Sequence, residues 1–197
     1  MINITRHAQS TVNAGQRVEN PLMAGLSELG REQASGLADK YESPPDLIIV
    51  SDAPRTQLTA LPLLEKFPNV PVKTMPVYEF YFICNYRIRS TTAEERKKML
   101  DEYFAREDPN YIDGGNCESF DNFILRVKEV LGSLDHNKNI LIISHGHFIN
   151  GVKMVMESLP LTVRQFAEMQ YVEHTELIEI KRQVQKDIPG WRMQKMR

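Results

Sequence analysis

The 197-residue chain has only two cysteines, Cys84 and Cys117, too few for a disulfide framework and a usage that suits a reducing compartment. It also lacks an excess of either charge: 24 lysines and arginines against 26 aspartates and glutamates leave a formal net charge of −2. That balance removes any general electrostatic attraction to nucleic acid or to an anionic membrane. A local basic pocket for a small anion stays open. No apolar run approaches the roughly 20 residues of a membrane span, and the opening Met1-Ile2-Asn3-Ile4-Thr5-Arg6-His7 has no apolar stretch of secretory-signal length. Internal repeats and low-complexity linkers are absent as well. With 42% hydrophobic and 25% charged residues, the composition is that of a folded globular chain, neither disordered nor fibrous. The expectation is a cytoplasmic protein with one domain over residues 1–197 and no nucleic-acid or membrane partner. Oligomeric state leaves no mark in the sequence.

What is present is an alternation of short aliphatic runs with helical patterns. Ile2-Asn3-Ile4 opens a strand, Leu47-Ile48-Ile49-Val50 and Ile140-Leu141-Ile142-Ile143 are continuous runs of the kind covered on both faces, residues 72–77 suggest a further strand, and residues 175–181 a last one. Residues 27–40 read as a helix with Ser27 as N-cap and Leu29, Ala34, Leu37 and Ala38 as its apolar stripe. Further helices are expected over 55–67, with a kink at Pro62, over 120–134 and over 148–158. Between residues 80 and 116 the pattern breaks into aromatic residues, a charged helix over 92–107 and turn clusters, which reads as an insertion or lid over the core. The fold class is therefore α/β: a three-layer sandwich with a mostly parallel central sheet flanked by helices.

Open α/β sheets place ligands beyond the carboxyl ends of their strands. The first strand ends in Arg6 and His7, the second in Ser51 and Asp52 with Arg55 just beyond, the 72–77 run in Tyr78 and Glu79, and the 140–143 run in Ser144, His145 and Gly146. Two arginines, two histidines and a glutamate thus converge on one edge. Guanidinium forks match phosphate oxygens, and helix N-termini add backbone donors. A neutral imidazole is a competent nucleophile toward phosphorus, a second can donate to an equatorial oxygen, and a carboxylic acid can protonate a leaving alkoxide. Such a phosphoryl-transfer pocket requires no metal or other cofactor. Taken singly, Arg55 fits a solvated first-turn residue, and Glu28, Glu65, Glu94 and Glu118 are other carboxylates beside Glu79.

Arg6-His7-Ala8-Gln9-Ser10 with Asn13, Leu26-Ser27-Glu28-Leu29-Gly30-Arg31-Glu32-Gln33-Ala34, Ser51-Asp52-Ala53-Pro54-Arg55-Thr56-Gln57-Leu58-Thr59-Ala60, Tyr78-Glu79-Phe80, Gly115-Asn116-Cys117-Glu118-Ser119 with Arg126, and Ser144-His145-Gly146-His147 occur in this order. The set resembles the motifs of the histidine phosphatase (phosphoglycerate mutase-like) superfamily and extends from Arg6 to about Gly151. The resemblance implies a phosphohistidine at His7, with Arg6, Arg55 and His145 holding the phosphoryl group, Asn13 and the Gly146 backbone assisting, and Glu79 as general acid. Ala8 stands where the family carries glycine. Glu19-Asn20-Pro21 lacks the glycine-containing substrate loop of the mutases, and the insertion with Arg87 and Arg89 differs from their recognition segment.

The leading expectation is a metal-independent phosphomonoesterase acting on a small phosphorylated substrate. A phosphotransferase or mutase shares the chemistry as far as phosphohistidine. A phospho-ligand binding module without turnover is the alternative of another class, although a pure binder needs no nucleophile. Arg87 and Arg89 are candidates for a second anionic group of the substrate or for solvation of the insertion. His145 and His147 have the spacing of a metal pair, but no cysteine or aspartate cluster accompanies them in sequence, so His147 reads as a helix-start residue. His136 reads as a turn residue, His174 as a surface residue near the rim, and Glu94-Glu95-Arg96-Lys97-Lys98 as an exposed helix face.

Overall fold

The aliphatic runs lie inside one sheet with both faces covered, which is why they do not alternate with polar residues. The computed structural model describes residues 1–181. Its elements follow as β1 (Ile2–Arg6), α1 (Glu28–Asp39), β2 (Leu47–Val50), α2 (Pro54–Lys66), β3 (Val72–Thr74), α3 (Asn85–Ile88) and α4 (Ala93–Phe104). Then come α5 (Phe120–Ser133), β4 (Ile140–Ser144), α6 (Gly146–Met156), α7 (Val163–Ala167) and β5 (Leu177–Glu179). The spatial strand order is β3-β2-β4-β1-β5, parallel except for β5, which runs antiparallel along β1. On one face Ile48, Val50, Leu141 and Ile143 share a buried cluster with Leu37 and Ala38 of α1 and Ala60 and Leu63 of α2. On the other, Ile4, Ile49, Ile140 and Ile142 join Phe123 and Val127 of α5 and Phe148 and Val152 of α6. The result is the α/β sandwich expected from the alternation.

Several local expectations need correction. Strand β3 stops at Thr74 rather than 77 because Pro76 has no N–H for the ladder, and its three residues are exposed at the sheet edge. Tyr78 and Glu79 therefore reach the site on a loop and not at a strand end. Leu29 is exposed, since α1 turns Gly30, Ala34, Leu37 and Ala38 inward. Helix α2 runs through Pro62. The short helices α3 and α7 have too few residues to show a period.

The insertion is pinned to the core by its aromatics. Phe80 stacks on Phe123 of α5 at 4.5 Å, and Phe82, Tyr103 and Phe104 share the same buried cluster. Truncating any of these buried aromatic rings would cost about 3–5 kcal/mol. Helix α4 starts at a capping box in which Thr92 and Glu95 exchange side-chain and backbone bonds. Arg17 pairs with Glu95, and the Ser90 N–H donates to the Glu19 carbonyl at 3.2 Å, so the insertion also grips the loop that follows β1.

Candidate active site

Strand register brings the first residues of the site together. Parallel pairing sets Arg6 opposite Ser144 and Val50 opposite Ile143, so His7, His145 and Ser51 emerge at one edge. The His7 N–H donates to the Ser144 carbonyl at 2.8 Å, and the two imidazole centroids are 5.1 Å apart. Arg55, in the first turn of α2, lies between the rings. Its Nε donates to His7 Nε2 at 3.2 Å, its Nη2 to His145 Nδ1 at 3.0 Å and its Nη1 to the Leu22 carbonyl at 3.1 Å.

These partners fix both tautomers. His7 Nδ1 lies 2.7 Å from the Ala8 carbonyl, which can only accept, so Nδ1 carries the proton and Nε2 presents its lone pair toward Arg55. At His145 the order reverses: Nδ1 accepts from Arg55, and the Nε2–H donates to Ser51 Oγ at 2.8 Å. The Ser51 hydroxyl passes its own proton to Thr56 Oγ1 at 3.0 Å, and Thr56 donates to the Ala53 carbonyl at 2.8 Å. Burial pushes His7 well below the usual histidine range, helped by His145 and Arg55 and opposed by the Ala8 carbonyl. Burial followed by Arg55 does the same to His145, against the pull of Glu79. Both rings are neutral at pH 7.

The loop carrying Glu79 is held from behind. Arg126 of α5 donates to the carbonyls of Pro76 at 2.8 Å, Tyr78 at 3.0 Å and Glu79 at 3.4 Å, while its Nε and Nη2 grip Glu118 at 3.0 and 2.5 Å. The Ser144 hydroxyl adds a bond to the Val77 carbonyl at 2.6 Å. Glu79 Oε1 accepts the N–H groups of Phe80 at 3.1 Å and His147 at 3.0 Å, the latter in the first turn of α6. Burial acts to raise the Glu79 carboxyl, but His147, His145 and Arg55 outweigh it and hold the group well below the usual carboxylate range. Glu79 is ionised in the free protein.

Arg6 lies over the Tyr171 ring at 5.1 Å and donates to the Val172 carbonyl at 3.1 Å, while its buried Nε has no acceptor among the described residues. Burial lowers its pKa against the opposing pull of Glu79. Ser10 bonds Asn13 Oδ1 through both its hydroxyl and its N–H, which leaves the Asn13 amine to the cavity that Asn13 lines. Gly146 opens α6 where a Cβ would come within 2.5 Å of Tyr171.

The remaining motif residues carry the loop behind His7. A Cβ on Gly30 would lie 2.0 Å from the Gln9 carbonyl, so only glycine lets α1 approach there. Gln33 accepts the Gln9 N–H at 2.8 Å, and the Ser27 N–H donates to the Gln9 carbonyl at 2.9 Å. Thr59 accepts the Ala8 N–H at 3.0 Å and donates to the Arg55 carbonyl at 2.6 Å, which couples the His7 loop to the start of α2. The Ala8 methyl joins Leu26 and Ala34 in a small apolar cluster, so the replacement of glycine at position 8 is absorbed by packing.

A cavity of about 550 Å³ opens over this arrangement, lined by Arg6, His7, Asn13, Arg55 and Glu79. His145 is fully buried behind Arg55. Arg87 and Arg89 do not line the cavity: Arg87 is paired with Asp113, and Arg89 is exposed. The insertion's cations that do line it are Arg96 and Lys97, from the segment whose charge pattern reads as a solvated face. His174, read as a surface residue, donates from Nδ1 to the His7 carbonyl at 2.6 Å and so supports the His7 backbone. Glu118 is committed to Arg126. His145 and His147 do not form a metal pair, because both His145 nitrogens are already bonded and His147 is turned to Tyr171. Cys84, Asp113 and Cys117 bring their ligand atoms within 4.8 Å of one another. However, Asp113 is occupied by Arg87 and the Cys84 N–H, and burial pushes the Cys117 thiol up to about 12, so the donor set suits a hydrogen-bonded thiol pair. Among the described residues no helix is long and apolar enough to cross a membrane.

Comparison with known proteins agrees with this geometry. The chain is 23% identical over 158 residues to a metal-independent phosphoserine phosphatase of Arabidopsis thaliana, across 77% of this chain and 66% of that protein, just under two thirds of its length. A mycobacterial glucosyl-3-phosphoglycerate phosphatase complexed with VO3 superposes with a TM-score of 0.66 and 25% identity, over 89% of this chain and 88% of the other. The phosphoserine phosphatase of Entamoeba histolytica, in complex with 3-phosphoglyceric acid, gives a TM-score of 0.70 at 19% identity over 89% and 87% of the two chains. The model of the histidine phosphatase superfamily (branch 1) matches residues 2–189, and with its motif residues gathered around His7 the chain belongs to that family.

Proposed function

We propose that this protein hydrolyses small phosphomonoesters without a metal, through a phosphohistidine on His7. The observation that carries the reading is the His7 ring: neutral, oriented by the Ala8 carbonyl, with its unprotonated Nε2 accepting from Arg55 at the wall of a cationic cavity. In the first step Nε2 attacks phosphorus, the bond to the ester oxygen breaks, and Glu79 gives that oxygen its proton. In the second, Glu79 takes a proton from water as the water oxygen displaces His7 and phosphate leaves. Arg6, Arg55, the Asn13 amine and the N-terminus of α6 at Gly146 stabilise the equatorial oxygens, each donor worth on the order of 10²–10³ in rate. His145 joins them only after Nδ1 gains a proton, brought by the phosphoryl monoanion or taken up from solvent. Glu79, ionised in the free site, needs its proton from the same sources, and the negative phosphoryl oxygens favour that uptake.

The cavity size suits a small ester. Its walls include Val12, Leu22, Ile83 and Leu100, with Arg96 and Lys97 also lining it, which supports a substrate with a second anionic group beyond an apolar stretch. The relatives named for phosphoserine and glucosyl-3-phosphoglycerate support the same class. Quenched turnover of a phosphomonoester in chelator tests the mechanism. The wild type is expected to carry acid-labile, base-stable phosphate, and His7→Ala to lose both that adduct and turnover while still binding phosphate. Turnover by His7→Ala at the wild-type rate refutes it.

A further inference from the structure

His147 takes no part in the steps above, yet it is buried directly behind Glu79. Its N–H donates to Glu79 Oε1 at 3.0 Å, and its ring Nδ1 lies 3.4 Å from the same oxygen without an ordinary hydrogen-bond partner. Nε2 is 2.6 Å from the Tyr171 hydroxyl. Phe80, Phe82, Phe104, Phe166 and Tyr171 surround the ring at centroid distances from 5.0 to 6.4 Å. A polar ring in an aromatic cage is costly unless both polar edges are used. One edge is used on Tyr171, and the other faces only Glu79.

The ionised carboxylate decides what the Nδ1 side of the ring can present to it. With the proton on Nε2, an Nδ1 lone pair would face negative charge at 3.4 Å. With the proton on Nδ1, 3.4 Å from Oε1, a positive hydrogen instead of a lone pair lies beside that oxygen, and the Tyr171 hydroxyl donates to Nε2. Glu79 Oε2 has no protein partner among the described residues, and Glu79 lines the cavity.

We propose that His147, anchored by Tyr171, is a positioning residue for Glu79: its backbone N–H binds Oε1, its ring Nδ1 side stands against the same oxygen at 3.4 Å, and Oε2 is left to exchange the proton with the ester oxygen and then with water. The inference rests on the reading of Glu79 as acid and base. The contact is stronger with the carboxylate than with the acid, so His147 makes Glu79 a readier proton donor. The other titratable groups facing Glu79 are Arg6, Arg55, His145, Tyr81 and Tyr171, and all remain when His147 alone is replaced.

The experiment is the pH profile of kcat for an alkyl phosphate and for nitrophenyl phosphate in His147→Leu, His147→Asn and Tyr171→Phe. In His147→Leu the alkaline limb for the alkyl ester should move up by about one pH unit, since Glu79 loses a neighbour that favours its charged form. On the plateau below that limb its kcat should fall about tenfold, because Oε2 is no longer held toward the ester oxygen, with a smaller loss for nitrophenyl phosphate, whose leaving group needs little protonation. His147→Asn places an amide N–H where Nδ1–H stands and should restore the wild-type limb. Tyr171→Phe keeps the ring over Arg6 and should move the limb in the same direction, which carries the test if His147→Leu does not fold. An unmoved limb in His147→Leu that still forms phosphohistidine, or in Tyr171→Phe should His147→Leu not fold, overturns the proposal. Glu79→Gln, measured alongside, separates the two ideas: equal losses for both esters would remove Glu79 as the acid, whatever His147 does.

Discussion

The buried imidazoles tie folding stability to pH, and the size of the effect can be worked from the site. His7 and His145 are 4% and 0% exposed, and both are held well below the histidine range, chiefly by burial. In the unfolded chain each would titrate near 6.5, so below that pH the unfolded state binds protons that the folded state refuses. Their contribution is therefore complete above about pH 6.5 and shrinks as the pH falls toward the folded-state pKa. A ring that stays neutral in the fold at pH 5 while the unfolded form protonates forfeits about 2 kcal/mol, so the ceiling for the pair is about 4 kcal/mol. That is a large share of the ~5–15 kcal/mol that holds a domain folded. Glu79 does not offset the loss: its carboxyl is lowered, so its contribution fails only below its own unfolded value of 4.5, outside this window. Urea unfolding at pH 7.5, 6 and 5 measures the drop directly. The His7→Gln, His145→Gln double variant is expected to lose most of the pH dependence. A wild type whose stability is flat between pH 7.5 and 5, or a double variant with the same drop, would show that the rings are not buried neutral.

Two further outcomes follow from the proposed role of Glu79 and from its support. Glu79→Gln should slow an alkyl phosphate by roughly 10²–10⁴ and nitrophenyl phosphate far less, read from kcat on the same protein preparation; equal losses would contradict a proton-donor role. Arg126→Met leaves Glu118 with an unpaired carboxylate that is only 16% exposed and frees three loop carbonyls, so chemical denaturation should show a loss of about 3–5 kcal/mol. Replacing Arg126 together with Glu118 by apolar residues should recover part of that stability, though not the placement of Glu79.

The parts of this molecule legible in the sequence are those set by local pattern. The 47–50 and 140–143 runs are aliphatic throughout because both faces are buried, and a parallel sheet delivers whatever follows them to one edge. That logic was sufficient to gather Arg6, His7, Arg55 and His145. It failed where long-range contacts decide. Glu79 stands beyond a strand that Pro76 cuts short, and its loop is fixed by Arg126, 47 residues later in the chain. Arg96 and Lys97 look solvated in a run of alternating charge, and only the docking of the insertion through Phe80 and Phe82 turns them to the cavity. His174 and Tyr171 reach the site from the far end of the described chain, and no spacing within their own segment records the partners they meet.

The bonds within the free site also bear on how the proposed nucleophile would be kept ready. A lone imidazole lone pair buried in a protein is an unsatisfied acceptor, and two of them with a buried guanidinium would be costly if each stood alone. Arg55 removes that cost by donating to both rings at once, so the two ring lone pairs that face it are paired in the free site. A phosphoryl group offers the guanidinium better acceptors, and charge-assisted bonds to its oxygens are stronger than those to neutral nitrogen. In the proposed reaction, a phosphoryl group that takes Arg55 from the two rings would leave His7 Nε2 facing phosphorus and His145 Nδ1 free to take a proton. Substrate binding and the baring of the nucleophile would then be one exchange of partners around a single side chain. The bonds that would hold the rings in place through that exchange, from Thr59 to Ala8 and from Ser51 to His145, are already made in the free site.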